Sequence, residues 1–208
     1  MHTPFSTPQE LAPSEDPRAT ILESAEYRFK TSGFRKTTIA EIAADARMSP
    51  ANLYRYFDGK REIGAACCDR WLSARIETLR ALAHQKGLSA SQRLVAVISK
   101  NQVITSTLST QNPHIYEMVE SIAVGHPELV RRKVDAMVSL FAEILAYGNE
   151  TGEYAVDNVV TTARSVHAAQ VVFEVPLFSA LYPVADFERM VANVSSLLVS
   201  GLAKRRAV

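Results

Sequence analysis

The stretch Thr37–Lys60, TTIAEIAADARMSPANLYRYFDGK, decides the fold. Thr38 with Glu41 three residues later is a capping box, the reciprocal side chain–backbone pairing that opens a helix. Ile39, Ile42, Ala43 and Ala46 then recur at helical spacing. Ser49-Pro50 is a second start only a few residues on: a hydroxyl cap, then a proline whose missing N–H is no loss in a first turn. The helix it opens is brief. Leu53 and Phe57 lie four apart on one face, and Asp58-Gly59 breaks the run before a much longer helix begins. A capped helix, a short turn, a very short second helix and a long third one describe a helix-turn-helix, whose second helix enters the DNA major groove.

The side chains suit that geometry. With Leu53 and Phe57 turned to a core, the other side of the short helix offers Ala51, Asn52, Arg55 and Tyr56, with Tyr54 beside them. Small residues let the backbone approach base edges, while Asn and Arg can pair with adenine and guanine. Tyrosine hydroxyls and Lys60 suit phosphates, and helix N-termini at Thr38 and Gly59 offer N–H groups to anions. Charge is concentrated in the same region. Residues 17–61 carry nine bases against five acids, residues 1–16 carry three acids and no base, and residues 62–208 balance. A local basic excess favours a polyanionic partner.

Around this stretch almost every segment reads as helix. Asp16-Pro17 starts one whose face is Ile21, Leu22, Ala25 and Phe29, with Gly33 as its stop. The long helix after Gly59 runs to about His84; others are marked by Leu94 to Leu108, by Pro113, and by His126-Pro127 as far as Asn149–Gly152. Asn158 to Leu181 is apolar on several faces, including Val175 and Phe178, and Phe187, Met190, Val191, Val194, Leu197, Leu198 and Leu202 form a wide stripe after Asp186. A helix apolar on more than one side needs extra partners, which favours self-association over a thick single-chain core. Pro4, Pro8 and Pro13 among Ser and Thr mark residues 1–13 as a flexible arm. The start, Met1-His2-Thr3-Pro4, does not read as a signal peptide. Glu174, Pro176 and Pro183 interrupt the most apolar stretch, so no membrane partner and a cytoplasmic location are expected. Cys67 and Cys68 are adjacent and point apart on a helix, as small hydrophobes rather than a bridge or metal pair.

Residues 18–65 resemble the DNA-binding domain of the tetracycline-repressor (TetR) family. The likeness rests on Gly33-Phe34, Thr37 through Ala43, Ser49-Pro50-Ala51-Asn52-Leu53-Tyr54-Arg55-Tyr56-Phe57, and Lys60 with Glu62. It implies an all-α, nine-helix architecture: a three-helix helix-turn-helix domain, then six helices for regulation and dimerisation. Residues 1–13, 14–60 and 61–208 are the expected arm, DNA-binding domain and ligand-binding and dimerisation domain. Thr38 and Lys60 are then expected at phosphates, and Ser49, Ala51, Asn52, Tyr54, Arg55 and Tyr56 on the recognition surface. The family usually has glycine where this chain has Arg47. Either Arg47 adopts positive φ at about 1 kcal/mol, or the turn differs and Arg47 adds a phosphate contact.

The resemblance further implies double-stranded DNA carrying an inverted repeat, a small-molecule effector, and a homodimer through the last two long helices. Candidate pocket residues are Trp71, Gln102, Met118, Met137, Phe141, Tyr147, His167, Gln170 and Phe173, for each of which core packing is the more frequent role; Gln170 and His167 stand out because a polar group on an apolar helix needs a partner. His114, Glu117, Glu120 and His126 raise a metal site, but they lack the paired Glu-x-x-His pattern and any cysteine ligand. No cofactor or metal is expected, and no nucleophile elbow, phosphate loop or dinucleotide fingerprint suggests an enzyme. The competing reading is a helical interaction or metal- and ligand-carrying protein whose DNA-binding domain is degenerate.

Overall fold

A computed structural model of the chain describes residues 16–174 and 181–204. The arm at residues 1–13 and the apolar residues Val175 and Phe178 lie outside the described residues. Among these are nine α-helices and no strand: α1 (Pro17–Ser32), α2 (Ile39–Asp45), α3 (Pro50–Leu53), α4 (Lys60–Ala83), α5 (Ala90–Gln111), α6 (Pro113–Gly125), α7 (Pro127–Glu150), α8 (Val159–Gln170) and α9 (Val184–Leu202). The all-α, nine-helix expectation holds. After α8 the backbone tightens into a 3-10 turn, Val171–Glu174. No helix of the described residues is long and apolar enough to cross a membrane.

The helices form two compact units. The first takes the described residues as far as Leu72 together with Leu108–Val130, so α6, remote in sequence, shares the core of the helix-turn-helix. Ile21, Ala25 and Phe29 of α1 meet Ile42 and Ala43 of α2, Leu53, Phe57, Ile63 and Cys67, and Ile115, Met118 and Ile122 of α6. Two glycines permit this closeness. Gly33 ends α1 at φ 85, ψ 150, a region open essentially to glycine alone, and an added Cβ there lies 3.3 Å from the His114 ring. At Gly64 an added Cβ lies 2.9 Å from both the Phe34 ring and Ile122. Cys67 and Cys68 are free thiols. Burial pushes Cys67 well above the usual thiol range and Cys68 to about 12, so neither supplies a reactive thiolate.

The second unit is Ser73–Thr107 with the described residues from Arg131 onward. Leu79, Leu94, Ile98, Met137, Phe141 and Val166 are fully enclosed in it. α9 packs on α8, and the Phe173 ring meets Phe187 edge-on at 5.4 Å.

One buried acid stands in the first unit. Glu26 of α1 receives Arg70 Nη2 of α4 at 3.2 Å, but its Oε1 is enclosed without a hydrogen bond. Burial outweighs the Arg70 charge and pushes its pKa up to about 7. The fold thus holds a proton that the unfolded chain releases above about pH 4.5, and stability falls as pH rises from there to 7, by about 3 kcal/mol in all. Glu26→Gln, which cannot titrate, should flatten the pH dependence of the melting temperature between pH 5 and 7 and exceed the parent at pH 8. Parallel profiles for the two proteins contradict this account.

Candidate functional site

The helix-turn-helix is assembled by its caps. Thr38 Oγ1 accepts from Glu41 N at 3.2 Å, and the Glu41 carboxylate takes the Thr38 N–H and hydroxyl, each at 2.8 Å. At the other end of α2, Arg47 N donates to Ala44 O and Met48 N donates back to Ala43 O. This pair of bonds closes a helix end only when the first of the two donors is left-handed. Arg47 has φ 55, the sole non-glycine with positive φ among the described residues. The first alternative for Arg47 is therefore the observed one: the turn keeps the geometry that usually selects glycine, with arginine in it.

Ser49 Oγ then accepts from Asn52 N at 3.2 Å to start α3. This helix has a single turn, too short to persist by itself. It continues as hydrogen-bonded turns, with Tyr56 N and Phe57 N both donating to Leu53 O. Leu53 and Phe57 are buried, whereas Ala51 and Arg55 are exposed and Tyr54 is 54% exposed. Asn52 and Tyr56 are half-buried, and Tyr56 packs against the core. Ser49 and Arg47 are also exposed, so the expected recognition residues share the outer side of one turn and its flanks.

Several bases have internal tasks. Lys60 Nζ donates to the carbonyls of Phe34 (2.8 Å), Arg35 (3.1 Å) and Thr37 (2.8 Å), which uses all three ammonium hydrogens to hold the α1–α2 corner against the start of α4. Its expected phosphate contact is not what these bonds describe. Arg18 Nη1 donates to Tyr56 O at 2.9 Å while its guanidinium lies 4.1 Å over the Phe57 ring, and so pins the end of the α3 turn to α1. Arg28 grips both oxygens of Asp45, joining α1 to α2. The sequence counted these three as part of a basic excess; nothing local marked them as braces, since their partners lie 17 to 38 residues away.

The pocket candidates divide between the units. Trp71 and Met118 are in the first, with Met118 in its core and the Trp71 indole N–H buried near the Glu26 carboxylate. In the second unit Gln102, Met137, Phe141 and Phe173 are buried, and the Tyr147 ring carries the Arg93 guanidinium at 3.7 Å. His167 and Gln170 are buried beside a group the sequence reading passed over. Glu174 accepts from Gln170 Nε2 and Asn101 Nδ2, both at 3.0 Å, pairs with Lys133 at 2.6 Å, and lies 3.7 Å from His167 Nε2. Residues 167, 170 and 174 share one helical face, and that spacing is the signal from which this carboxylate could have been found. The four metal candidates are engaged separately: Glu117 pairs with Arg35, Glu120 accepts from Tyr116, His126 meets Glu128 at 2.9 Å, and His114 faces Gly33.

A one-turn helix anchored by two apolar residues, preceded by a capped helix and a left-handed turn, defines a helix-turn-helix regulator. Residues 21–67 match the family model for bacterial regulatory proteins of the TetR family, and residues 90–195 match the tetracycline repressor-like C-terminal domain. The chain belongs to the TetR family and is a DNA-binding transcriptional regulator. No curated protein matches it in sequence. Among solved structures it is similar to a transcriptional regulator of Cytophaga hutchinsonii, with 20% identity, a TM-score of 0.68 and coverage of 89% of this chain and 98% of that one. SmeT, the repressor of the Stenotrophomonas maltophilia multidrug efflux pump SmeDEF, has 19% identity and a TM-score of 0.66 over 91% and 92%. FadR of Bacillus subtilis in complex with stearoyl-CoA has 18% identity and a TM-score of 0.60 over 88% and 98%.

The left-handed Arg47 has a measurable consequence. Arg47→Gly removes the side-chain strain and should stabilise the protein by up to about 1 kcal/mol, seen as a higher melting temperature. A lower melting temperature would mean that the Arg47 side chain holds the turn through contacts worth more than the strain.

Proposed function

We propose that the protein is a homodimeric, non-enzymatic repressor of the cytoplasm that occupies an inverted-repeat operator and leaves it when a small molecule binds the second unit. The observation that carries this reading is the outer side of α3: Tyr54 and Arg55 stand in solvent while Leu53 and Phe57 of the same turn are buried. Arg55 and Asn52 then read base edges, and the hydroxyls of Ser49, Tyr54 and Tyr56 with the Arg47 guanidinium meet phosphates or edges at the flanks, while Thr38, whose hydroxyl hydrogen goes to Glu41, caps the start of α2 beside them. Lys60 serves by fixing the corner that presents them.

Dimerisation is supported by apolar surface on the last two helices. On α9, Phe187 and Val191 are buried, yet Leu197 is 72% exposed; Val160 of α8 and Val171 after it are exposed too. Pairing of these faces gives two-fold symmetry, and two recognition helices about one DNA turn apart then call for a palindromic site. Regulation follows from α4, which starts at the helix-turn-helix and ends among the helices of the second unit. An effector that prefers one placement of α4 over another alters the spacing of the two recognition helices and with it DNA affinity. SmeT, a repressor, and FadR with its bound stearoyl-CoA are precedents in fold for the two halves of this reading.

Gel shifts on the DNA upstream of the protein's own gene test it. Tyr54→Ala and Arg55→Ala should each weaken binding by about tenfold or more without altering the melting temperature, whereas Tyr56→Ala should lower both. Unchanged affinity in the first two variants refutes the assigned surface. Leu197→Arg should convert the dimer to a monomer in sedimentation and abolish tight operator binding; a variant that remains dimeric removes α9 from the interface.

A further inference from the structure

Four segments of the second unit carry an apolar face that ends on polar residues, and those residues meet. On α5, Asn101 and Thr105 follow Leu94 and Ile98; on α7, Lys133 precedes Met137; Gln170 and Glu174 follow Val166; and α4 brings Arg75 ahead of Leu79. Asn101 joins the two sides of this layer. Its Oδ1 accepts from Arg75 Nε at 2.8 Å while its Nδ2 donates to Glu174 at 3.0 Å.

The charges in the layer do not balance. Glu174, whose side chain is 2% exposed, is the carboxylate bonded into it, and Lys133 already pairs with it at 2.6 Å. Arg75 adds a second permanent cation and has only neutral acceptors: Asn101 Oδ1, Asn101 O at 3.2 Å and Thr105 Oγ1 at 2.7 Å. Its Nε and Nη2 make these bonds, and Nη1 makes none with the described residues. His167 Nε2 is enclosed without a hydrogen bond. Arg75 is half-buried, and its guanidinium meets the Glu174 charge only through Asn101, not by direct contact; burial outweighs that opposite charge and holds the Arg75 pKa below its ordinary value. The planar fork of arginine matches a carboxylate, and an incoming anion would complete the layer's charge balance.

We propose that Arg75 is the anchor for the effector's head group, and that the second unit recognises a small organic acid through its carboxylate. This rests on the regulatory reading above. Because Arg75 lies on α4, the anion binds directly to the helix whose placement carries the response.

Thermal shift of the full-length protein tests it, with acetate, benzoate and octanoate at about 10 mM, each against its uncharged alcohol at matched ionic strength. At least one carboxylate should raise the melting temperature by about 3 °C or more while its alcohol does not. Arg75→Gln, which keeps an N–H for Asn101, should erase that rise, and Arg75→Lys, which keeps the charge, should retain part of it. The proposal is overturned if none of the three acids stabilises the protein, if the alcohols act equally, or if the rise survives in Arg75→Gln. Should Arg75→Gln not fold, a rise in Arg75→Lys equal to the parent's also overturns it, because loss of the planar fork must weaken the contact. A gel shift run alongside separates the two ideas. Failure of the parent to bind DNA defeats the regulatory reading alone, whereas a missing acid response in a protein that binds DNA defeats only the anion site.

Discussion

Burial of Leu53 and Phe57 is the interaction on which the DNA-facing geometry depends. α3 has four residues, far below the length at which a helix persists in water, so nothing intrinsic to it fixes where its outer side points. Two fully or nearly enclosed side chains four apart fix its rotation about its own axis, each contributing on the order of 2 kcal/mol by area. The Arg47 turn fixes its angle to α2, and the Arg18 bond to Tyr56 O fixes its far end. Remove the anchors and the polar side chains remain, but they no longer converge.

The same constraint explains how positive charge is used. A basic excess reads at first as a surface for phosphate, yet Arg18, Arg28 and Lys60 are engaged in holding α1, α2, the α3 turn and the start of α4 together. Arg47 and Arg55 stand exposed on the helix-turn-helix itself. Inner bases give rigidity and outer ones supply contact, and both contribute to the long-range field that draws a polyanion. In the second unit the polar layer is the counterpart: buried Asn101, Thr105, Gln170 and Glu174 meet the half-buried Arg75 and Lys133, and each unsatisfied atom among the buried ones is expensive and selective.

Local rules made much of this legible. Thr38 and Glu41, Ser49 and Pro50, and Asp16 and Pro17 announce helix starts because capping involves residues two or three apart, and Thr38, Ser49 and Asp16 are caps in the structure. The helical character of almost every segment and the inward turn of Leu53 and Phe57 follow from such spacing. Arg47 could be narrowed only to two alternatives, since backbone conformation at one residue depends on whether Met48 N reaches Ala43 O. What lay beyond reach is non-local. The place of α6 in the first core, the Lys60 clamp and the link from Arg75 through Asn101 to Glu174 each join residues that no periodicity relates.

Amide hydrogen exchange of the protein with and without operator duplex tests the central claim most directly. The account predicts slowed exchange on DNA binding across Ser49–Tyr56 and at the start of α2 and α4, on top of protection already present at Leu53 and Phe57 in the free protein. Protection that appears elsewhere on the surface while Ser49–Tyr56 is unaffected, or a free protein in which Leu53 and Phe57 exchange as fast as solvent, contradicts it.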